Sequence, residues 1–354
     1  MLRPVHLDPA LIGQPLPWDV FTESGVLLAG AGLVLVDAAL FDKLSERALY
    51  REGGEVAEEP LTHLAELATQ AEACLDSPEE AAIRAVTRAL LALQRADGDA
   101  CLGYASLAPL ARPVVGHALR VLFIVALLAE LLHFSEADQE SLAAAALTMN
   151  LASLDLHDRL YTCDGVVPEA ERVVLRGHPH AGAIWLEQSG VRDALWLDAV
   201  RQHHENLDGS GYPAGLAGSE LGLATRILRV ADFYCAKVAG RHYRPPRSAS
   251  YAFQELFGRE KARLDSHIAT VLLRQMGIYP PGTLVRLANR ETACIARITR
   301  GGTARWAVSV LDARERALEP AQARDLGTRN HTIIGTAERL PGWPEIDWMA
   351  VWGY

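Results

Sequence analysis

The sequence predicts a mainly α protein: a helical bundle over residues 106–278, with a small β-rich unit before it and a small antiparallel β unit after it. Apolar residues recur at helical spacing almost without a break between 106 and 278, and in the flanks they alternate with period two between turn residues. The length, 354 residues of which 50% are hydrophobic, supplies a sizeable core and more than one folding unit.

In chain order, residues 1–55 hold short apolar runs. Trp18 to Gly30 reads as a hairpin around Glu23-Ser24-Gly25, Leu33 to Val36 as a further strand and Ala38 to Ala48 as a short helix. Residues 56–105, rich in Glu, Ala and Leu, read as a helical connector with a break at Asp97-Gly98-Asp99. Helices are then expected over 114–133, 136–153, 168–189, 193–205, 222–240 and 261–276. Ser135 before acidic residues and Pro168 before Glu169 are good helix starts. The long irregular interval Asn206 to Gly222 is Gly-rich, and such a loop inside a compact helical domain is usually functional. After Tyr279-Pro280-Pro281-Gly282, three runs (Thr283–Leu287, Cys294–Ile298, Arg305–Leu311) alternate as strands and lead to a Trp-rich tail from Trp343 to Tyr354. The domain boundaries expected are therefore 1–55, 56–105, 106–278 and 279–354.

A formal charge of −10 argues against binding DNA, which needs a basic face to neutralise phosphates. The cysteines (Cys74, Cys101, Cys163, Cys235, Cys294) are odd in number and never paired as CxxC, which fits reduced thiols in a cytoplasmic protein. The N-terminus lacks a signal-peptide pattern. The most apolar stretch, Val114 to Leu132, is interrupted by His117, Arg120 and Glu130, so it reads as a buried helix and no membrane span is expected.

The strongest local signal is His203-His204-Glu205-Asn206-Leu207-Asp208-Gly209-Ser210-Gly211-Tyr212-Pro213. Adjacent histidines at a helix end can present two imidazoles to one metal, although two histidines alone are more often surface residues. With the downstream Arg226-Ile-Leu-Arg229-Val-Ala-Asp232 and Arg241-His-Tyr243-Arg244, the segment resembles the signature of the HD-GYP family, bacterial cyclic-di-GMP phosphodiesterases of the HD phosphohydrolase superfamily. The resemblance covers about residues 106–278. It implies a helical phosphohydrolase fold with an iron or manganese centre, and it assigns metal-ligand positions to His117, His178 (in His178-Pro179), His203, His204 and Asp232. Asp208, Gly209, Gly211, Tyr212 and Pro213 become the GYP loop, which the family uses in ligand binding and in docking to GGDEF-type cyclase domains. Arg241, Tyr243 and Arg244 either recognise phosphate or cap the helix ending near Gly240.

The match breaks at the HD pair. The family's spacing, counted back from His178 or forward from His117, lands on Met149-Asn150. His157-Asp158, further on, is expected to be a decoy on a loop. The resemblance thus replaces the family's bridging carboxylate by Asn150, its histidine by the soft thioether of Met149, the following lysine by Ser153, and an acidic residue of three-metal members by Pro113. Two states of the pocket remain open, an empty or adventitiously occupied site or a single iron, manganese or zinc ion on His178, His203 and His204; on the other side His117 and Asp232 are left to hydrogen-bond to each other. The expected function is a degenerate HD-GYP protein of cyclic-di-GMP signalling, a non-catalytic module that binds nucleotide or docks a partner. The alternative is a phosphodiesterase with a rebuilt site. The flanking β units lack clustered titratable residues and read as scaffolding or partner surfaces.

Overall fold

The structure is a computed structural model, and it describes every residue except 1, 6, 8–10, 12–15, 17, 23, 31, 37–40, 42, 45–48, 53–59, 109–111, 163–166, 240–246, 300, 340–341 and 354. The chain divides into two compact units, one of Thr62–Pro280 with Arg300–Thr303, the other of Met1–Leu61, Pro281–Thr299 and Ala304–Tyr354.

The helical unit is built from α1 (Pro60–Asp76), α2 (Glu80–Leu107), α3 (Pro113–Leu131), α4 (Glu136–Thr148), α5 (Leu154–Thr162), α6 (Glu169–Gln188), α7 (Ala194–Gln202), α8 (Leu223–Val238), α9 (Ala249–Phe257) and α10 (Ser266–Met276). Helix α3 lies at the centre, packed against α2, α4, α5 and α8. By length and composition α3 is apolar enough to cross a membrane, yet Leu119, Leu122, Val125 and Leu128 are each fully buried against these neighbours. Its hydropathy is that of a core helix surrounded by protein. Helix α4 approaches it closely because Ala143 to Ala146, all buried, present no bulk. The Ser135 hydroxyl accepts the Asp138 amide at 3.1 Å, which is the expected helix start.

Several local expectations need correction. The helix expected over 136–153 ends at Thr148, and a 3₁₀ turn at Leu151–Ser153 precedes α5. His157 and Asp158 therefore lie in a helix, not a loop. Asp158 fixes α5 in place: its carboxylate accepts the Val114 amide at 2.9 Å, capping α3, and receives Arg112 at 2.5 Å. The break expected at Asp97-Gly98-Asp99, by contrast, is present. Asp97 leaves helical geometry (φ −155, ψ 78), and its carboxylate accepts the Ala100 amide at 3.0 Å, so the chain kinks and restarts as an internal cap. Helix α9 was not expected; Ser248 starts it by accepting the Tyr251 amide.

In the other unit, the N-terminal strands β1 (Leu2–Val5), β2 (Val20–Phe21), β3 (Leu27–Ala29) and β4 (Leu49–Glu52) form an antiparallel sheet in the order β1-β4-β2-β3. The expected hairpin is present, pairing Val20 with Ala29 and Phe21 with Leu27. The strand expected at Leu33–Val36 is reduced to bridges at Val34 and Leu35. Of the helix expected at 38–48, only Phe41, Lys43 and Leu44 are described, all helical. The C-terminal sheet runs β8-β7-β6-β5-β9, all antiparallel, with β5 Leu284–Leu287, β6 Thr292–Ile298, β7 Ala304–Leu311, β8 Ala317–Asp325 and β9 Ile333–Thr336. The three expected strands form its centre. The Trp-rich tail is pinned to it by the Trp352 indole N–H, which donates to the Ala296 carbonyl at 2.9 Å.

Candidate metal centre

His178 lies inside α6 directly before Pro179. Proline has no amide proton, so the Leu175 carbonyl, four residues back, lacks its helical donor. The Nδ1–H of His178 takes that role at 2.7 Å. His203 follows the last turn of α7, where carbonyls also lack helical partners, and its Nδ1–H donates to the Val200 carbonyl at 2.7 Å. Each carbonyl accepts only, so both protons are fixed on Nδ1 and both Nε2 atoms carry lone pairs.

Those two Nε2 atoms face each other at 3.1 Å. His178 and His203 are buried, and with His204 they place three ligand nitrogens within 4.8 Å of one another. Two lone pairs at that separation repel unless a cation lies between them, either a shared proton or a metal ion. Burial disfavours the proton, lowering both rings and carrying His203 down to about 3, helped by the proximity of His178. His204 is likewise lowered, by burial first and His203 second. A cluster of neutral imidazoles with converging lone pairs is the donor set a borderline divalent ion takes.

Across the pocket, Asp232 on α8 accepts from His117 Nε2 of α3 at 2.9 Å, with Arg229 at 3.6 Å and His204 Nδ1 at 4.0 Å. Burial would raise its carboxyl, but the His117 hydrogen bond and the neighbouring positive charge hold it well below the usual carboxylate range. A cavity of about 420 Å³ opens beside these groups, lined by His117, Asn150, His157, His204, Tyr212, Arg229, Asp232 and Lys237 among others. Asp232 is the one carboxylate among the described residues that line it. Asn150 presents a neutral amide there. Met149 is fully buried outside the lining, and the Ser153 hydroxyl is committed to the Asn150 carbonyl at 3.2 Å.

His157 is the residue that sequence reasoning set aside and the fold brings in. It lines the cavity, its ring centroid 5.5 Å from that of His178. The helical spacing of α5, with Leu156 buried and Tyr161 also on the cavity wall, was the signal available for it.

The loop after His204 is held from inside. Glu205, 1% exposed, accepts the amides of Ala214 at 2.6 Å and Gly215 at 3.0 Å. Asn206 receives Arg229 at 3.2 Å and donates to the Ser210 hydroxyl at 3.1 Å, while the Asp208 carboxylate accepts the Ser210 amide at 3.0 Å. Glu205 and Asn206 position the loop, a role not assigned from the sequence. The Tyr212 ring packs against His204 with centroids 4.8 Å apart and the planes tilted by 33°, and burial lifts its phenol to about 12, so it stays neutral. Gly209 has φ +76, and Pro213 is exposed at the loop surface. At Gly211 a Cβ would fall 2.4 Å from the Glu205 Cα and from the Asn206 amide nitrogen. Gly211→Ala is therefore expected to displace the loop and cost about 1–3 kcal/mol in urea unfolding. An unchanged midpoint would show that the loop yields. Arg241, Tyr243 and Arg244 lie outside the described residues.

Residues 105–268 match the family model for the HD domain. The chain is 28% identical over 222 residues to a cyclic di-GMP phosphodiesterase of Pseudomonas aeruginosa, covering 62% of this chain and 53% of that protein. It is 30% identical over 168 residues to a 3'3'-cGAMP-specific phosphodiesterase of Vibrio cholerae (47% and 36% covered). Identity reaches 32% over 157 residues with the response regulator RpfG of Xanthomonas campestris, a cyclic di-GMP phosphodiesterase (44% and 41% covered). The chain thus spans about half the length or less of these relatives. Among solved structures, the fold resembles that of the HDG"Y"P protein Bd1817 of Bdellovibrio bacteriovorus, with a TM-score of 0.51 at 14% identity over 77% of this chain and 98% of that one. Residues 105–268 are thus matched by an HD domain, and in its double histidine, GYP loop and helical fold the chain is similar to HD-GYP proteins.

Proposed function

We propose that this chain is a non-hydrolysing HD-GYP module of cyclic-dinucleotide signalling, which holds one divalent ion and binds nucleotide in the cavity beside it. The observation that carries this reading is the carboxylate supply. Sharing a water between two metals needs an anionic bridge, and Asp232 is already bonded to His117 and faces Arg229. Asn150, at the position the family resemblance gives to the bridging carboxylate, is neutral and lines the same cavity.

His178, His203 and His204 would hold the ion, of iron, manganese or zinc. Such an ion supplies Lewis acidity toward a phosphoryl oxygen. The chain's own groups do the binding: Arg229 and Lys237 bring positive charge to the cavity wall for phosphate, and Tyr212 offers an aromatic face beside His204. The ligand is cyclic di-GMP or a related 3'3'-linked dinucleotide, since the relatives act on both classes. The GYP loop, whose Pro213 is exposed, is the surface for a GGDEF-type cyclase or another signalling partner.

The expected results are stoichiometric binding of one manganese or zinc ion, lost at least 100-fold in His203→Ala, and calorimetric binding of cyclic di-GMP with no turnover. Multiple turnover with added manganese or reduced iron, abolished in His203→Ala, would replace this reading by a second one. That second reading is a phosphodiesterase with a rebuilt site, and the position of His157 on the cavity wall favours it.

A further inference from the structure

Helix α6 is apolar on two sides. Its inner side buries His178, Pro179, Gly182, Ala183 and Leu186. Its outer side is apolar as well, although it faces solvent: Val173 is 64% exposed, Val174 49%, Trp185 40% and Ile184 38%. Between them lie the exposed Gly177 and Ala181. A Cβ on Gly177 would meet nothing within 4 Å, so nothing in the fold asks for glycine there. At helical spacing these residues form one continuous stripe, and a face of this kind on a folded surface marks a contact with another macromolecule.

The order of residues along the stripe is self-complementary. Ala181 stands midway between Gly177 and Trp185. Arg176 and Glu187, both on one rim of the stripe, lie at nearly equal distances on either side of it. We propose that this face docks a second copy of the chain, the two α6 helices crossing antiparallel about a two-fold axis at Ala181. In that register the indole of Trp185 covers the bare backbone at Gly177 of the other copy, and Arg176 comes within about one helical rise, ~1.5 Å along the axis, of the level of Glu187. Glu187 already receives Arg201 at 2.8 Å and retains lone pairs for a second guanidinium. A parallel two-fold pair would set this rim of the two copies on opposite sides of the seam and bring Gly177 level with Gly177, so it would form neither contact. The antiparallel pair satisfies both features at once, and two-fold symmetry requires that kind of matching.

Ala181→Cys tests the register in the full chain. Mild oxidation is expected to yield a covalent dimer on a non-reducing gel, because the two residues 181 meet at the axis. Gln188→Cys, on the same helix but seven residues from the axis, is expected to remain monomeric, since its two copies lie about 21 Å apart at 1.5 Å per residue. Wild type treated alike sets the background from native thiols. Trp185→Glu is expected to abolish the dimer seen by sedimentation velocity at tens of micromolar. Equal cross-linking at 181 and 188, a monomeric wild type at about 100 μM, or a dimer that survives Trp185→Glu would each overturn the proposal, leaving the face to a different partner.

Discussion

Metal-free protein is expected to lose roughly 3 kcal/mol of folding stability between pH 7 and pH 4 through His203 alone. Folding lowers the pKa of this ring from 6.5 to about 3, because the charged form would be buried beside His178. Between those values the unfolded chain binds a proton that the folded chain refuses, so stability falls as pH falls. It is fully present above about 6.5 and levels off once the folded ring titrates. His178 and His204 are shifted in the same direction and steepen the slope. Asp232 contributes in a different window: its folded carboxyl is depressed, so its stabilisation is present above 3.8 and is lost only as pH falls further. Urea midpoints measured from pH 7.5 to 4 after chelation check this. His203→Leu should flatten the profile, and a flat profile in wild type would mean that the rings are not buried as described.

Asp232→Ala is expected to cost about 3–5 kcal/mol, the penalty for removing one partner of a buried ion pair. The carboxylate joins α8 to α3 through His117 at 2.9 Å and is the anion nearest Arg229. Without it the guanidinium keeps the Asn206 side-chain carbonyl at 3.2 Å but has no carboxylate partner among the described residues. Asp232→Asn keeps a hydrogen-bonding oxygen and removes the charge, so its loss should be smaller. Chemical denaturation of both variants checks the order. A loss below 1 kcal/mol for the alanine variant would show that water relieves the pair.

The flanking sheets and most helices were legible because period two and period 3.6 are written directly in the positions of apolar residues. Helix ends were legible where a local cap marks them, as at Ser135. Errors fell where side chains reach far along the chain. Asp158 holds α5 by capping Val114, 44 residues away in sequence, and no local pattern announces that bond. The break at Asp97 was legible, because its carboxylate accepts an amide only three residues further on.

The sequence by itself determined the family signature, the set of histidines with Asp232, and the absence of a carboxylate at Asn150. These are matters of residue identity and order. The tertiary structure alone decided that the Nε2 atoms of His178 and His203 confront each other at 3.1 Å, that Asp232 is bonded to His117, and that His157 reaches the cavity. Each depends on helices distant in sequence meeting in one bundle, and on backbone carbonyls, freed at Pro179 and at the end of α7, that fix which nitrogen of each ring carries its proton.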